Sequence, residues 1–138
     1  AALIAGNHIG TDASGALDRG NGSKGIELAT GSGPTTVGGV LAADRNVISG
    51  NGDNGMIISG SDSNVVIGNY IGTNVTGNAP LPNGADGIFI NNGSKTNTIG
   101  QAGAGNVLSG NTDDGIEIVD ATPLNVIQGN LIGLGEDG

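Results

Sequence analysis

The sequence predicts an all-β fold, a parallel β-helix (β-solenoid) of three short strands per coil and about 30 residues per coil. Three observations carry this. The chain of 138 residues holds 29 Gly but only one Phe, one Tyr and no Trp, so large rings cannot fill a globular core. Yet 36% of its residues are hydrophobic, mostly small aliphatics, which a disordered chain would lack. Whole segments also recur at fixed offsets, and each recurring unit contains the same three short apolar runs. Small aliphatics buried in many thin layers are what a solenoid provides.

The repeat is read most directly from Gly6-Asn7-His8-Ile9-Gly10-Thr11, which returns as Gly68-Asn69-Tyr70-Ile71-Gly72-Thr73, 62 residues later. It returns again as Gly129-Asn130-Leu131-Ile132-Gly133. Asn46-Val47-Ile48-Ser49-Gly50-Asn51 likewise maps onto Asn106-Val107-Leu108-Ser109-Gly110-Asn111. Two coils fit in each long repeat. The first strand of a coil is Leu3-Ile4-Ala5, then Thr36-Val37-Gly38, Val65-Val66-Ile67, Thr98-Ile99-Gly100 and Val126-Ile127-Gln128. The second begins at Asn7, Asn46, Asn69, Asn106 and Asn130. The third begins at Gly25, Gly55, Gly87 and Gly115, which are 30, 32 and 28 residues apart. One domain over residues 1–138 follows, with coils near 2–33, 34–62, 63–95, 96–123 and a partial fifth at 124–138. The crossover rule for parallel strands makes the helix right-handed.

Side chains alternate along a strand, so comparing equivalent positions separates inside from outside. Ile9, Ile48, Ile71, Leu108 and Ile132 form one invariably large aliphatic column, expected inside. Its neighbours His8, Val47, Tyr70, Val107 and Leu131 vary in type and are expected outside. In the third strand Ile26, Met56, Ile88 and Ile116 point in, as do Leu28, Ile58, Ile90 and Ile118. Glu27, Ile57, Phe89 and Glu117 between them point out. Ile4, Val37, Val66, Ile99 and Ile127 are the inward column of the first strand.

Corners explain the Gly and Asn content, since sharp turns favour residues that tolerate positive φ. The column Asn7, Asn46, Asn69, Asn106 and Asn130 is expected to stack as a hydrogen-bonded ladder. Odd coils carry a long insertion between second and third strands, Gly10–Lys24 and Gly72–Asp86. Even coils carry a shorter one between first and second, Val40–Arg45 and Gln101–Gly105.

Charge narrows the partners. The net charge is −9, and Arg19, Lys24, Arg45 and Lys95 are the only strong bases. Nucleic acid and anionic membrane surfaces call for clustered cations, so neither is expected as a partner. No apolar run is long enough to span a bilayer, so membrane insertion is not expected either. The absence of Cys removes disulfides and thiolate metal sites.

The N-V-I-S-G-N, G-I-x-I and G-N-x-I-G-T segments resemble the parallel β-helix repeats of large secreted and cell-surface bacterial proteins. That resemblance covers essentially the whole chain and implies an extracellular or cell-surface location. The architecture hosts lyases, hydrolases, epimerases, adhesins and structural arrays, so it implies no single activity.

Asn111-Thr112-Asp113-Asp114-Gly115 is similar to the N-T-D motif and Asp pair of β-helical polygalacturonases, where two carboxylates serve as acid and base. The equivalent turns, Asn51-Gly52-Asp53-Asn54-Gly55 and Asn21-Gly22-Ser23-Lys24-Gly25, mark it as the ordinary corner. The G-H-G and R-x-K elements of that family have no counterpart. His8 and Tyr70 share a column two coils apart, roughly 9–10 Å, too far for a direct pair. No catalytic residue is therefore expected. No cofactor or resident metal is expected either. Acidic turns at Asp53, Asp62, Asp86, Asp113, Asp114, Glu136 and Asp137 leave weak Ca2+ binding open, without the EF-hand or G-G-x-G-x-D spacing. Asn21-Gly22-Ser23, Asn74-Val75-Thr76 and Asn92-Gly93-Ser94 match the glycosylation sequon, as a chain of this composition readily does. Tyr70 and Phe89 are the candidate glycan contacts, as exposed rings able to stack on sugars.

The reading is a non-catalytic structural array whose uncapped ends pair with flanking coils or stack end to end with copies of itself into filaments. A polysaccharide-active enzyme scaffold and a glycan-binding module are the alternatives.

Overall fold

Runs of two to four β-prone residues, separated by turns rich in Gly and Asn, form fourteen strands in the computed structural model, which describes residues 1–120 and 123–138. Coil 1 contains β1 (Ala2–Ile4), β2 (His8–Ile9) and β3 (Ile26–Leu28). Coil 2 contains β4 (Thr35–Gly38), β5 (Val47–Ile48) and β6 (Met56–Ser59). Coil 3 contains β7 (Val65–Ile67), β8 (Tyr70–Ile71) and β9 (Ile88–Asn91). Coil 4 contains β10 (Thr98–Ile99), β11 (Val107–Leu108) and β12 (Ile116–Ile118), and coil 5 contributes β13 (Val126–Ile127) and β14 (Leu131–Ile132). The end assigned to coil 4 includes residues 121–122, which lie outside the described residues. One short 3-10 turn, Ala42–Asp44, interrupts the strands.

Equivalent strands of successive coils pair in parallel and build three sheets. Their orders are β1-β4-β7-β10-β13, β14-β11-β8-β5-β2 and β12-β9-β6-β3. The register is the one the repeats imply: Ile9 faces Ile48, Ile48 faces Ile71, Ile71 faces Leu108 and Leu108 faces Ile132. Met56 and Ile58 of the third sheet face Ile88 and Ile90 in the same way. The inward columns of all three sheets converge on one core, in which Val37, Ile48, Met56, Ile58, Val66, Ile71, Ile88, Ile90, Ile99 and Leu108 are wholly buried. Burial weakens towards both ends, where Ile4, Ile9 and Ile116 are partly covered and Ile132 is 48% exposed.

One expectation needs correction. The column His8, Val47, Tyr70, Val107 and Leu131 stands outside the core cluster but is not a solvent-facing column. Val47, Tyr70 and Val107 are only 1%, 4% and 2% exposed, while His8 is open and Leu131 half-buried. The long insertions of the odd coils reach this column at His8 and Tyr70. Each closes into a small hairpin through an antiparallel bridge, Thr11 with Asp18 and Thr73 with Pro80. The hairpins then stack two coils apart, Val75 N–H donating to Gly15 O at 2.9 Å and Glu136 N–H to Gly77 O at 3.1 Å. Gly77 (φ +75°) lies so close to the Tyr70 ring that a Cβ there would come within 2.9 Å of it.

Candidate functional site

Each corner of the solenoid is a polar column, and these columns are the most continuous chemical feature of the molecule. Asn at the start of the second strand repeats because its side-chain amide offers one acceptor and two donors beside a turning backbone. The Nδ2 of Asn7, Asn46, Asn69 and Asn106 donates to the Oδ1 of Asn46, Asn69, Asn106 and Asn130 respectively, each at 2.9 Å. The backbone N–H of the same residues donates to the same oxygens. The second amide hydrogen reaches back one coil, Asn69 Nδ2 to Val37 O at 2.9 Å and Asn106 Nδ2 to Val66 O at 2.8 Å. One buried side chain thus ties three coils together.

Two further ladders occupy the other corners, and the sequence reading had missed both. Asn21, Asn51, Asn83 and Asn111 are linked Nδ2 to Oδ1 at 3.0, 2.9 and 2.9 Å. Asn64, Asn97 and Asn125 are linked at 2.8 and 3.1 Å. Thr35 occupies the second-coil position of that column and donates its backbone N–H to Asn64 Oδ1 at 3.0 Å. The signal is recurring Asn at equivalent corner positions, unbroken at Asn21, Asn51, Asn83 and Asn111 and confined to the last three coils at Asn64, Asn97 and Asn125. All three ladders run in one sense, each amide donating towards the C-terminal coil.

The N-T-D-like stretch is built into the corner it occupies. Asn111 belongs to a ladder, and Thr112 Oγ1 donates to Asn83 O at 2.8 Å. Asp113 and Asp114 are exposed, whereas Asp86, their neighbour one coil back, is buried and accepts from Asp114 N–H at 3.0 Å. Glu117 faces this group. Its carboxyl is held above the usual range, first by burial and then by the charge of Asp86, a hydrogen bond with it, and the charges of Asp114 and Asp113. Among the described residues no three acids or imidazoles converge to hold a metal ion.

The two candidate glycan contacts sit on different sheets. Phe89 lies in the third, half-buried between Ile57 and Glu117 of adjoining coils. Tyr70 lies in the second and is not an exposed ring, because Gly77 packs on it and the Arg45 guanidinium lies over it, 3.9 Å from the centroid. Burial raises the Tyr70 phenol above its ordinary pKa, Arg45 opposes this, and the adjacent Glu136 adds to it. His8, at the equivalent place in coil 1, is exposed, with Nδ1 3.3 Å from Asp12 O. Asp12 organises its hairpin by accepting from Ser14 Oγ and the N–H groups of Ala16 and Leu17, which lowers its pKa, the Ser14 bond contributing most. Asn74 does the same in coil 3, accepting from Thr76 N–H and Oγ1. Sequon residues Asn21 and Asn74 are thus engaged internally.

Compared with protein-family models, curated proteins and solved structures, the chain matches none of them. No helix of the described residues is long and apolar enough to cross a membrane.

Proposed function

We infer that the chain is a non-catalytic structural repeat array of an extracellular or cell-surface protein. Its coils continue the stack with flanking coils or, end to end, with further copies. The observation that carries this reading is the set of three same-sense amide ladders. Side chains that would be free to build a site are instead committed to coil-to-coil bonds at every corner. The ladder from Asn7 to Asn130 runs through all five coils with an acceptor at its first member and donors at its last, so an added coil meets complementary groups. Small Gly-rich corners suit secretion and assembly no better than catalysis, and the extracellular assignment rests on the resemblance of the repeat segments.

The test has two arms. Incubated with acidic polysaccharides, with and without Ca2+, the purified chain is expected to release no products. Turnover that disappears in Asp113→Ala or Asp114→Ala would replace the array reading with an enzyme scaffold. Electron microscopy at rising concentration is expected to show rods lengthening by about 4.8 Å per coil added. Particles that stay single at all concentrations would remove self-stacking and leave flanking coils as the only partners.

A further inference from the structure

A cleft of about 250 Å3 opens where the loops of coils 2 and 4 flank the tight first corner of coil 3. It exists because even coils carry an insertion there and coil 3 does not, turning from β7 to β8 through Gly68 and Asn69. Glycines 39, 68, 103, 105 and 129 form much of its lining, and at all but Gly103 a Cβ would run into a neighbouring loop.

Two side chains of opposite charge line this cleft, Arg45 and Glu136. Arg45 is held in place before any ligand arrives. Its Nε donates to Gly68 O at 3.2 Å, and its guanidinium lies over the Tyr70 ring, 3.9 Å from the centroid. Neither bond uses the terminal amino groups. Among the described residues the ion pairs are Lys24 with Glu27 and Lys95 with Asp62, so neither Arg45 nor Glu136 has a countercharge, and the side-chain partner of both is Tyr70. Glu136 stands beside the Tyr70 hydroxyl, whose ring also supports Arg45, so one buried residue positions both charges. Val107 and Leu131 supply an aliphatic wall, and Val40 and Leu41, each 64% exposed, stand at the rim.

We propose that this cleft binds a small zwitterion, with its carboxylate on Arg45, its ammonium on Glu136 and an aliphatic group against Val107 and Leu131. Guanidinium and carboxylate make the strongest of the charge-assisted hydrogen bonds, and here the guanidinium is already oriented. A simple anion would face Glu136 and a chain of net charge −9, and a simple cation would face Arg45. A neutral ligand would desolvate both charges without replacing their water. The simplest member of the class is an aliphatic α-amino acid. This site is independent of whether the solenoid is an array or a scaffold.

Backbone amide shifts of the 15N-labelled chain, titrated with L-leucine, N-acetyl-L-leucine and L-leucinamide, test the proposal. Leucine is expected to give saturable shifts confined to Gly68, Gly103, Gly105 and Gly129. The two blocked forms should bind at least about tenfold more weakly, the scale of one lost charge-assisted bond. Arg45→Gln and Glu136→Gln should each weaken leucine binding to that level while the chain stays folded by thermal unfolding. If Arg45→Gln fails to fold, Glu136→Gln decides alone. Absence of saturable shifts with leucine, or equal binding by either blocked form, overturns the proposal.

Discussion

The second and third sheets carry outward columns of the same alternating pattern, yet one is sealed and the other stays open. In the second sheet Val47, Tyr70 and Val107 lie beneath hairpins and loops. In the third sheet Glu27 is exposed and Ile57, Phe89 and Glu117 are half-buried, and among the described residues no hairpin bridge lies in the segments joined to it other than those of the second-sheet insertions. Strand alternation states which way a side chain points. Whether water reaches it depends on what the connecting segments do, and those segments differ. The odd coils place their insertion after the second strand, where each hairpin rests on the one two coils away.

The sharpest way to break this comparison is to truncate the two aromatic residues. Tyr70→Ala removes a ring enclosed by Gly77 and Arg45 and is expected to cost about 3 kcal/mol, as for buried aromatics elsewhere. Phe89→Ala removes a ring already partly in water and should cost about half as much or less. Urea unfolding of both variants measures the difference. Equal losses would mean that the hairpins cover Tyr70 without contributing to its packing.

A second pair of variants separates cover from backbone strain. Gly77 and Gly93 have similar positive φ values, +75° and +79°. A Cβ at Gly77 would press on the Tyr70 ring, whereas one at Gly93 would meet nothing within 4 Å. Both alanine variants incur the left-handed penalty of about 1 kcal/mol, and Gly77→Ala should lose roughly 1 kcal/mol more by forcing the hairpin off its ring. If thermal unfolding ranks them equally, the hairpin does not rest on Tyr70.

Glu117 tests the open face. Its carboxyl pKa is raised in the folded chain, so the folded state holds its proton to higher pH than the unfolded state does. Stability is therefore lost as pH rises from the ordinary carboxylate value through the raised one. Glu117→Gln should be more stable than the parent above that window and indistinguishable from it near pH 3. A variant that gains nothing at neutral pH would show that neither burial nor the charges of Asp86, Asp114 and Asp113 disfavour the Glu117 carboxylate.

Much of this architecture was legible because a solenoid repeats each decision several times. Ile48, Ile71 and Leu108 could be placed inside without any long-range reasoning, since the column is aliphatic in every coil. The parallel pairing and its register followed from the same comparison. The burial of Tyr70 was not legible, because the hairpin residues 11–18 and 73–80 carry turn composition, which predicts a loop but not where it lies. A weaker hint was available: the outward residue is large in the odd coils, His8, Tyr70 and Leu131, and Val in the even ones. That alternation matches the alternation of the insertions. The Arg45–Glu136 cleft was beyond reach, since those residues lie 91 positions apart and meet only through Tyr70.

The central claim is that amide ladders, rather than corner geometry alone, hold the coils in register. Asn69→Leu tests it most directly, because this side chain bonds Asn46 and Asn106 and also reaches Val37 O. The substitution leaves several buried donors and acceptors unpaired at about 1–3 kcal/mol each, so equilibrium urea unfolding should show a loss of at least about 3 kcal/mol, or no folded chain at all. Asn92→Leu, at an exposed corner residue outside the ladders with φ +58°, is the control and should cost only the left-handed penalty of about 1–2 kcal/mol. A loss at Asn69 no larger than at Asn92 would contradict the claim and leave the corners as turns that happen to favour asparagine.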